Sequence, residues 1–131
     1  MIVKEIKMIP EDLKYTSEHE WVKIEKDEAI IGITDYAQSE LGDIIFIEFP
    51  SLGDKVAQND VSGTIEAVKT VADIFAPISG EITDVNSELE NNPEYVNSDP
   101  YEKGWLIKIK MDKRSDIETL LSSDQYAELI S

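Results

Sequence analysis

Gly63-Thr64-Ile65-Glu66-Ala67-Val68-Lys69-Thr70-Val71-Ala72-Asp73-Ile74-Phe75-Ala76-Pro77 sets one lysine among β-forming residues on both sides. Lys69 is the sole basic residue between Lys55 and Lys103, where ten acidic residues stand. A lone amine in an acidic, strand-rich stretch has no evident task in folding, which makes it the first place to look for covalent chemistry. The residues leave two local readings open. Strands over 61–68 and 70–75 would put Lys69 near a hairpin tip. Yet Ala67-Val68 and Thr70-Val71 contain no Gly, Asn or Pro, so turn chemistry alone predicts no reversal. An outward-facing lysine in one long strand is the simpler local reading.

Working outward, short strand signals recur. Trp21–Glu25 alternates apolar and polar residues, and Ala29–Ile33 follows after Lys26-Asp27-Glu28, which predicts a β-hairpin. Thr34-Asp35 caps a short helix through Leu41, with Gly42 at its C-terminal end. Asp43–Phe49 reads as a strand stopped by Pro50-Ser51-Leu52-Gly53. Lys55-Val56-Ala57 leads through a Gln58-Asn59-Asp60 turn into the lysine stretch, which Ala76-Pro77-Ile78-Ser79-Gly80 ends.

Alternation resumes over Glu81–Asn86 and again over Trp105–Met111. Helical turns are expected at Ile9–Leu13 and Ser87–Asn91, with a loop over Pro93–Pro100. Ser115-Asp116-Ile117-Glu118 matches a capping box. Ile117, Leu120, Leu121, Tyr126, Leu129 and Ile130 then suit one or two amphipathic helices. The fold class expected is mainly β: short antiparallel strands in a sandwich or barrel, small peripheral helices and a C-terminal helix.

At 131 residues one domain is expected, 1–131, with 1–14 as an N-terminal extension and 115–131 as a C-terminal helical segment. Twelve Lys/Arg against 28 Asp/Glu give a net charge of −16. That field repels nucleic acid and anionic membrane and favours basic protein surfaces. With zero cysteines, disulfides, thiolate metal sites and thiol catalysis drop out. A single histidine, His19, removes two-histidine metal sites and acid–base pairs. G-x-S-x-G, P-loop and G-x-G-x-x-G patterns are also missing. The chain reads as a non-catalytic, metal-free, cytoplasmic protein, expected to be monomeric.

The order of motifs carries more. Gly53-Asp54-Lys55-Val56, the lysine stretch and Ala76-Pro77-Ile78-Ser79-Gly80 resemble biotinyl/lipoyl carrier domains, with their G-D-x-V turn, hairpin lysine and A-P-x-x-G exit. Biotin carriers usually read A-M-K-M, whereas Val68 and Thr70 flank this lysine. The chain resembles more closely the H proteins of the glycine cleavage system, whose lysine motif is E-S-V-K-[AST]. Matching segments are Tyr15–Trp21, Gly32–Gln38, Leu41–Asp43, Ala76–Glu81, Val85-Asn86, Pro93–Asn97, Asp99–Tyr101 and Gly104–Lys108. The resemblance spans roughly Leu13 to Ile130. Departures are Ala67 for the usual Ser, Ser62 for a common aromatic, Asn59-Asp60 for a Gly-Asp turn, and a divergent 1–12.

The resemblance implies a lipoyl-domain-like fold and lipoate in amide linkage on Lys69, with Glu66, Val68, Thr70 and Asp73 as context for lipoylation. The cofactor would supply the sulfurs that the chain lacks. Implied partners are glycine decarboxylase, aminomethyltransferase, dihydrolipoyl dehydrogenase and a lipoyl ligase or transferase. Glu20, Asp73 and His19 are candidates for the cleft that receives the loaded arm. His19 also reads as a structural hydrogen-bonding residue, and Trp21 and Trp105 as core. The seven acidic residues of Glu81–Glu102 read either as a docking face or as solvated surface. A lipoate carrier serving relay or sulfur oxidation would need the same hairpin, and an unmodified acidic interaction module is the rival outside carrier chemistry.

Overall fold

The computed structural model describes residues 8–131. Nine strands lie in two antiparallel sheets among them: β1 (Lys14–Tyr15), β2 (Glu20–Glu25), β3 (Glu28–Ile33), β4 (Ile44–Glu48), β5 (Lys55–Val56), β6 (Val61–Ala67), β7 (Val71–Phe75), β8 (Gly80–Val85) and β9 (Ile107–Met111). The larger sheet has the order β1-β2-β3-β9-β8-β5, and the smaller is β4-β6-β7. Three α-helices accompany them, α1 (Asp35–Leu41), α2 (Tyr95–Ser98) and α3 (Ser123–Ile130), with 3-10 helices at Ser87–Glu90 and Arg114–Thr119. The mainly β sandwich with a C-terminal helix is the expected fold class.

Strand alternation explains how the sheets bury their apolar residues. Val22, Ile31, Ile33, Ile107 and Ile109 from the larger sheet meet Ile44, Ile47, Ile65 and Ile74 from the smaller in one core. Each such side chain contributes roughly 1.5–3 kcal/mol on burial. The opposite face of the larger sheet carries a second cluster of Leu13, Tyr15, Trp21 and Tyr126. There α3 covers the β1–β2 edge, and the Tyr15 and Tyr126 rings stack with centroids 4.8 Å apart. Trp21 lies across Gly32, its register partner on β3. A Cβ on Gly32 would come within 2.6 Å of the indole, so no larger residue fits beneath that ring.

Four local expectations change. Glu11-Asp12 form an ordinary turn rather than a helical one, because the chain straightens into β1, whose Tyr15 pairs with Trp21. The Pro93–Pro100 loop contains α2, anchored by the buried Val96. The capping box is not at Ser115: a 3-10 helix, Arg114–Thr119, begins after Lys113 with no side-chain cap. Asp116 is drawn away, accepting from the Ser79 amide at 2.9 Å. The capping box belongs instead to Ser122 and Gln125 at the start of α3. Trp105, read as core, is half-buried.

Lys69 is not in one long strand. Pairing of β6 with β7 runs from Val61↔Phe75 to Glu66↔Val71 and leaves Val68, Lys69 and Thr70 as the connection. The hairpin tip is therefore the reading the structure gives.

Candidate functional site

The tip turns without help from its own residue types. None of Val68, Lys69 and Thr70 takes positive φ, and only Ala67 N–H to Thr70 O, 2.8 Å, closes the reversal locally. The remaining hold comes from another segment. Val68 N–H donates to the Asp43 carbonyl at 3.0 Å. The aliphatic stem of Lys69 passes over Gly42, where a Cβ would stand 3.5 Å from Lys69 Cε. Gly42 ends α1 at φ 79°, ψ −156°, so a residue with a side chain there would strain the backbone, while its Cβ would meet the lysine stem only in ordinary contact.

Val68, Lys69 and Thr70 are all exposed, Val68 at 72%. The ion pairs among the described residues are Lys23–Glu25 and Lys55–Glu81, and Lys69 is in neither. Pairing Glu66↔Val71 and Thr64↔Asp73 sets Glu66 and Asp73 on one outward face of the hairpin. An exposed amine on a backbone-braced tip, with no ion-pair partner among the described residues, suits acylation by an enzyme that must reach around it. Lys69, Glu66, Val68, Thr70 and Asp73 thus come together as one surface feature.

Glu20 and His19 are placed differently. Glu20 is 1% exposed. Its Oε1 accepts from Thr16 Oγ1 at 2.5 Å and its Oε2 from the Phe75 amide at 3.3 Å, so this carboxylate joins the larger sheet to the end of β7. Asp73 lies two residues earlier on that strand. Burial pushes the Glu20 carboxyl up to about 7, against the opposing hydrogen bonds from Thr16 and Phe75.

Because this acid binds its proton more tightly folded than unfolded, its contribution is complete below pH 4.5 and is lost as pH rises through 7. Stability should therefore fall by about 3 kcal/mol across that window from this group alone. Glu20→Gln keeps a neutral group of the same size. Urea unfolding from pH 5 to pH 8 is expected to show a flatter profile and a more stable variant at pH 8. A slope equal to that of the wild type would contradict this assignment.

His19 takes φ 73° at the end of a tight turn, with Thr16 N–H donating to the Glu20 carbonyl. Its ring lies between Tyr36, at a centroid distance of 5.0 Å, and Tyr126, at 5.8 Å. Nδ1 is 2.9 Å from the Tyr126 hydroxyl, which is 2.7 Å from Thr34 Oγ1. Thr34 caps α1, so α3 is tied through Tyr126 to the helix that ends at Gly42. Desolvation holds the imidazole below its usual range despite Glu18 and Glu40. Sequence reasoning did not find Tyr126 or Thr34 as partners of His19, since nothing local links positions so far apart.

Asn97, which ends the motif Pro93–Asn97, bonds through its side chain to Ile44, Gly42 and Gln38, contacts that the sequence does not suggest. A groove of about 630 Å³ opens over the outer face of the larger sheet, among Trp21, Tyr101, Trp105 and Lys108. Lys69, His19, Glu20 and Asp73 do not line it. No group of three His, Asp or Glu suited to a metal ion occurs among the described residues, and no helix there is long and apolar enough to cross a membrane.

Comparison with known proteins fits this arrangement. The family model described as glycine cleavage H-protein matches residues 13–131. The chain is 54% identical over 123 residues to the glycine cleavage system H protein of Halalkalibacterium halodurans, covering 94% of this chain and 96% of that one. It is 55% identical over 122 residues to the H protein of Staphylococcus epidermidis, covering 93% and 97%. Its fold is similar to the crystal structure of a glycine cleavage system H protein from Mycobacterium marinum, with TM-score 0.85, 35% identity, and coverage of 92% and 97%. With a braced lysine hairpin, a matching fold and relatives alike over almost their whole length, the chain belongs to the glycine cleavage H-protein family.

Proposed function

We propose that this chain is the lipoyl-bearing shuttle of the glycine cleavage system, with lipoate in amide linkage on Lys69. The observation that carries the reading is the exposed Lys69 on a tip held by the Asp43 carbonyl. Attachment forms an amide between Nζ and the lipoyl carboxyl; the amine gives up a proton and the carboxyl its activating group. When bound, lipoate supplies a dithiolane able to accept an aminomethyl group and to carry two electrons.

The chain's own residues present and shelter that group. The hairpin projects Lys69 so that glycine decarboxylase, aminomethyltransferase and dihydrolipoyl dehydrogenase can each be reached by one tethered arm at high local concentration. Glu66, Val68, Thr70 and Asp73 form the surface that a lipoyl ligase or transferase would read. For the arm's amine we assign Asp73 on the hairpin, with Glu20 and His19 as the further candidates. A carboxylate supplies the charge that an ammonium needs when it leaves water. The protein is a cytoplasmic, monomeric, single-domain carrier that makes no bonds itself.

Reconstitution tests this reading. Glycine decarboxylase with the lipoylated chain is expected to release carbon dioxide from glycine at a rate that rises with carrier concentration, while the unmodified chain gives none. Lipoylated protein that fails to stimulate the reaction would remove the glycine assignment and leave a carrier for relay or sulfur oxidation.

A further inference from the structure

We propose that Asn97 is a positioning residue for the Lys69 tip, acting through the Gly42-Asp43 ledge; this rests on Lys69 being the attachment point. The Asn97 side chain makes three hydrogen bonds. Oδ1 accepts from Ile44 N–H at 3.0 Å, and Nδ2 donates to the Gly42 carbonyl at 2.8 Å and to Gln38 Oε1 at 3.0 Å. Two of these partners are backbone groups of fixed polarity, so the carboxamide can face only one way. They stand on either side of Asp43. One side chain therefore brackets both peptide units whose outer side carries the tip: the Asp43 carbonyl that receives Val68 N–H, and the Gly42 surface under the Lys69 stem.

The support behind Asn97 is stiff. Val96 is fully buried. A Cβ on Gly104 would stand 2.8 Å from the Tyr95 carbonyl oxygen and 2.8 Å from Val96 Cα, so α2 sits directly against the Gly104 backbone. On the far side, the tip has only the Ala67–Thr70 bond of its own. Remove the bracket, and the ledge and the lysine lose their fixed relation. Placement of a reacting group within a fraction of an ångström is what a modifying enzyme needs from a carrier.

Asn97→Asp preserves size and the acceptor for Ile44, but turns an oxygen toward the Gly42 and Gln38 oxygens, removing two bonds. Asn86→Asp is the matched control. Asn86 Nδ2 donates to the Lys103 and Trp105 carbonyls, both at 2.8 Å, so it loses two bonds of the same kind, and its side-chain bonds reach neither ledge nor hairpin. Two readouts are measured on the full chain. One is the KM and kcat of a lipoate–protein ligase, with lipoate and ATP, for the unmodified protein. The other is amide exchange of Val68, compared with Leu106, whose N–H donates to the Ile31 carbonyl.

Asn97→Asp is expected to raise KM about tenfold with kcat nearly unchanged, and to speed Val68 exchange about tenfold with Leu106 unaltered. Gln38→Ala, which removes one partner, should move both readouts the same way by less. Asn86→Asp should lower the urea midpoint and leave both at wild-type values. Wild-type KM or wild-type Val68 exchange in Asn97→Asp would overturn the proposal, as would equal shifts in Asn86→Asp. A wild-type chain that the ligase does not acylate counts against the attachment reading instead; Val68 exchange then decides the ledge alone.

Discussion

Lys69→Arg is expected to leave a folded chain that gains no lipoyl mass and carries no aminomethyl group. The side chain at the tip is exposed and takes part in neither ion pair among the described residues, so stability should change by less than about 0.5 kcal/mol. The guanidinium keeps the positive charge, and with it any long-range attraction of partner or ligase. What it lacks is a nitrogen that can lose its proton and attack an acyl group, since arginine stays charged. The loss is therefore complete in chemistry and nearly silent in folding. Intact mass after co-expression with a lipoate ligase, beside a urea curve, checks both halves. A one-lipoyl gain in the wild type that survives in Lys69→Arg would move the attachment to another lysine.

The largest effect on stability is expected at Gly80. It pairs with Met111 on β9 and with Val56 on β5. A Cβ there would lie 2.0 Å from the Lys110 carbonyl oxygen and 2.7 Å from Ile109 Cγ2. Neither neighbour can yield, one being backbone and the other the side chain of a fully buried core residue. Gly80→Ala must therefore push β8 off β9, breaking a ladder that runs to Val85↔Ile107. The cost is about 3 kcal/mol or more, which lowers Tm by roughly 10 °C. Urea unfolding of the two proteins measures it, and a midpoint within error of the wild type would refute the packing argument. The consequence reaches the site, because the Ala76–Gly80 exit is what returns the lysine hairpin to the larger sheet.

Much of this was legible in the chain. Alternation over Trp21–Glu25, Ala29–Ile33 and Trp105–Met111 located β2, β3 and β9, since a period of two leaves few choices once one face is buried. Thr34 and Gly42 marked α1 by their capping roles. The capping box failed at Ser115 because the 3-10 helix already starts at Arg114 and so takes Ser115 inside it, while α3 starts after Ser122; a four-residue pattern does not say which of two nearby serines begins the helix. Helix α2 was missed for a similar reason. Four residues behind a proline give little period to read, and Val96 becomes a core residue only when the larger sheet is assembled behind it.

For the site, the residues from Gly63 to Pro77 singled out Lys69, and only the resemblance over the wider series of motifs made it the attachment candidate, with Glu66 and Asp73 beside it. The lysine stretch also predicts β structure on both sides of Lys69, while leaving one long strand or two open. What the sequence could not decide is that the chain reverses at Val68-Lys69-Thr70. The residues there have no turn preference. The reversal is held by the Asp43 carbonyl, the Gly42 surface and the Asn97 bracket, groups distant in sequence that meet only once both sheets have formed. Likewise the motif offers Glu20 only as a candidate carboxylate for the arm cleft, and its burial, against the bonds from Thr16 and Phe75, is what pushes that carboxyl up to about 7. Residue type determines what chemistry is available; tertiary structure decides which groups are exposed, held still or taken out of water.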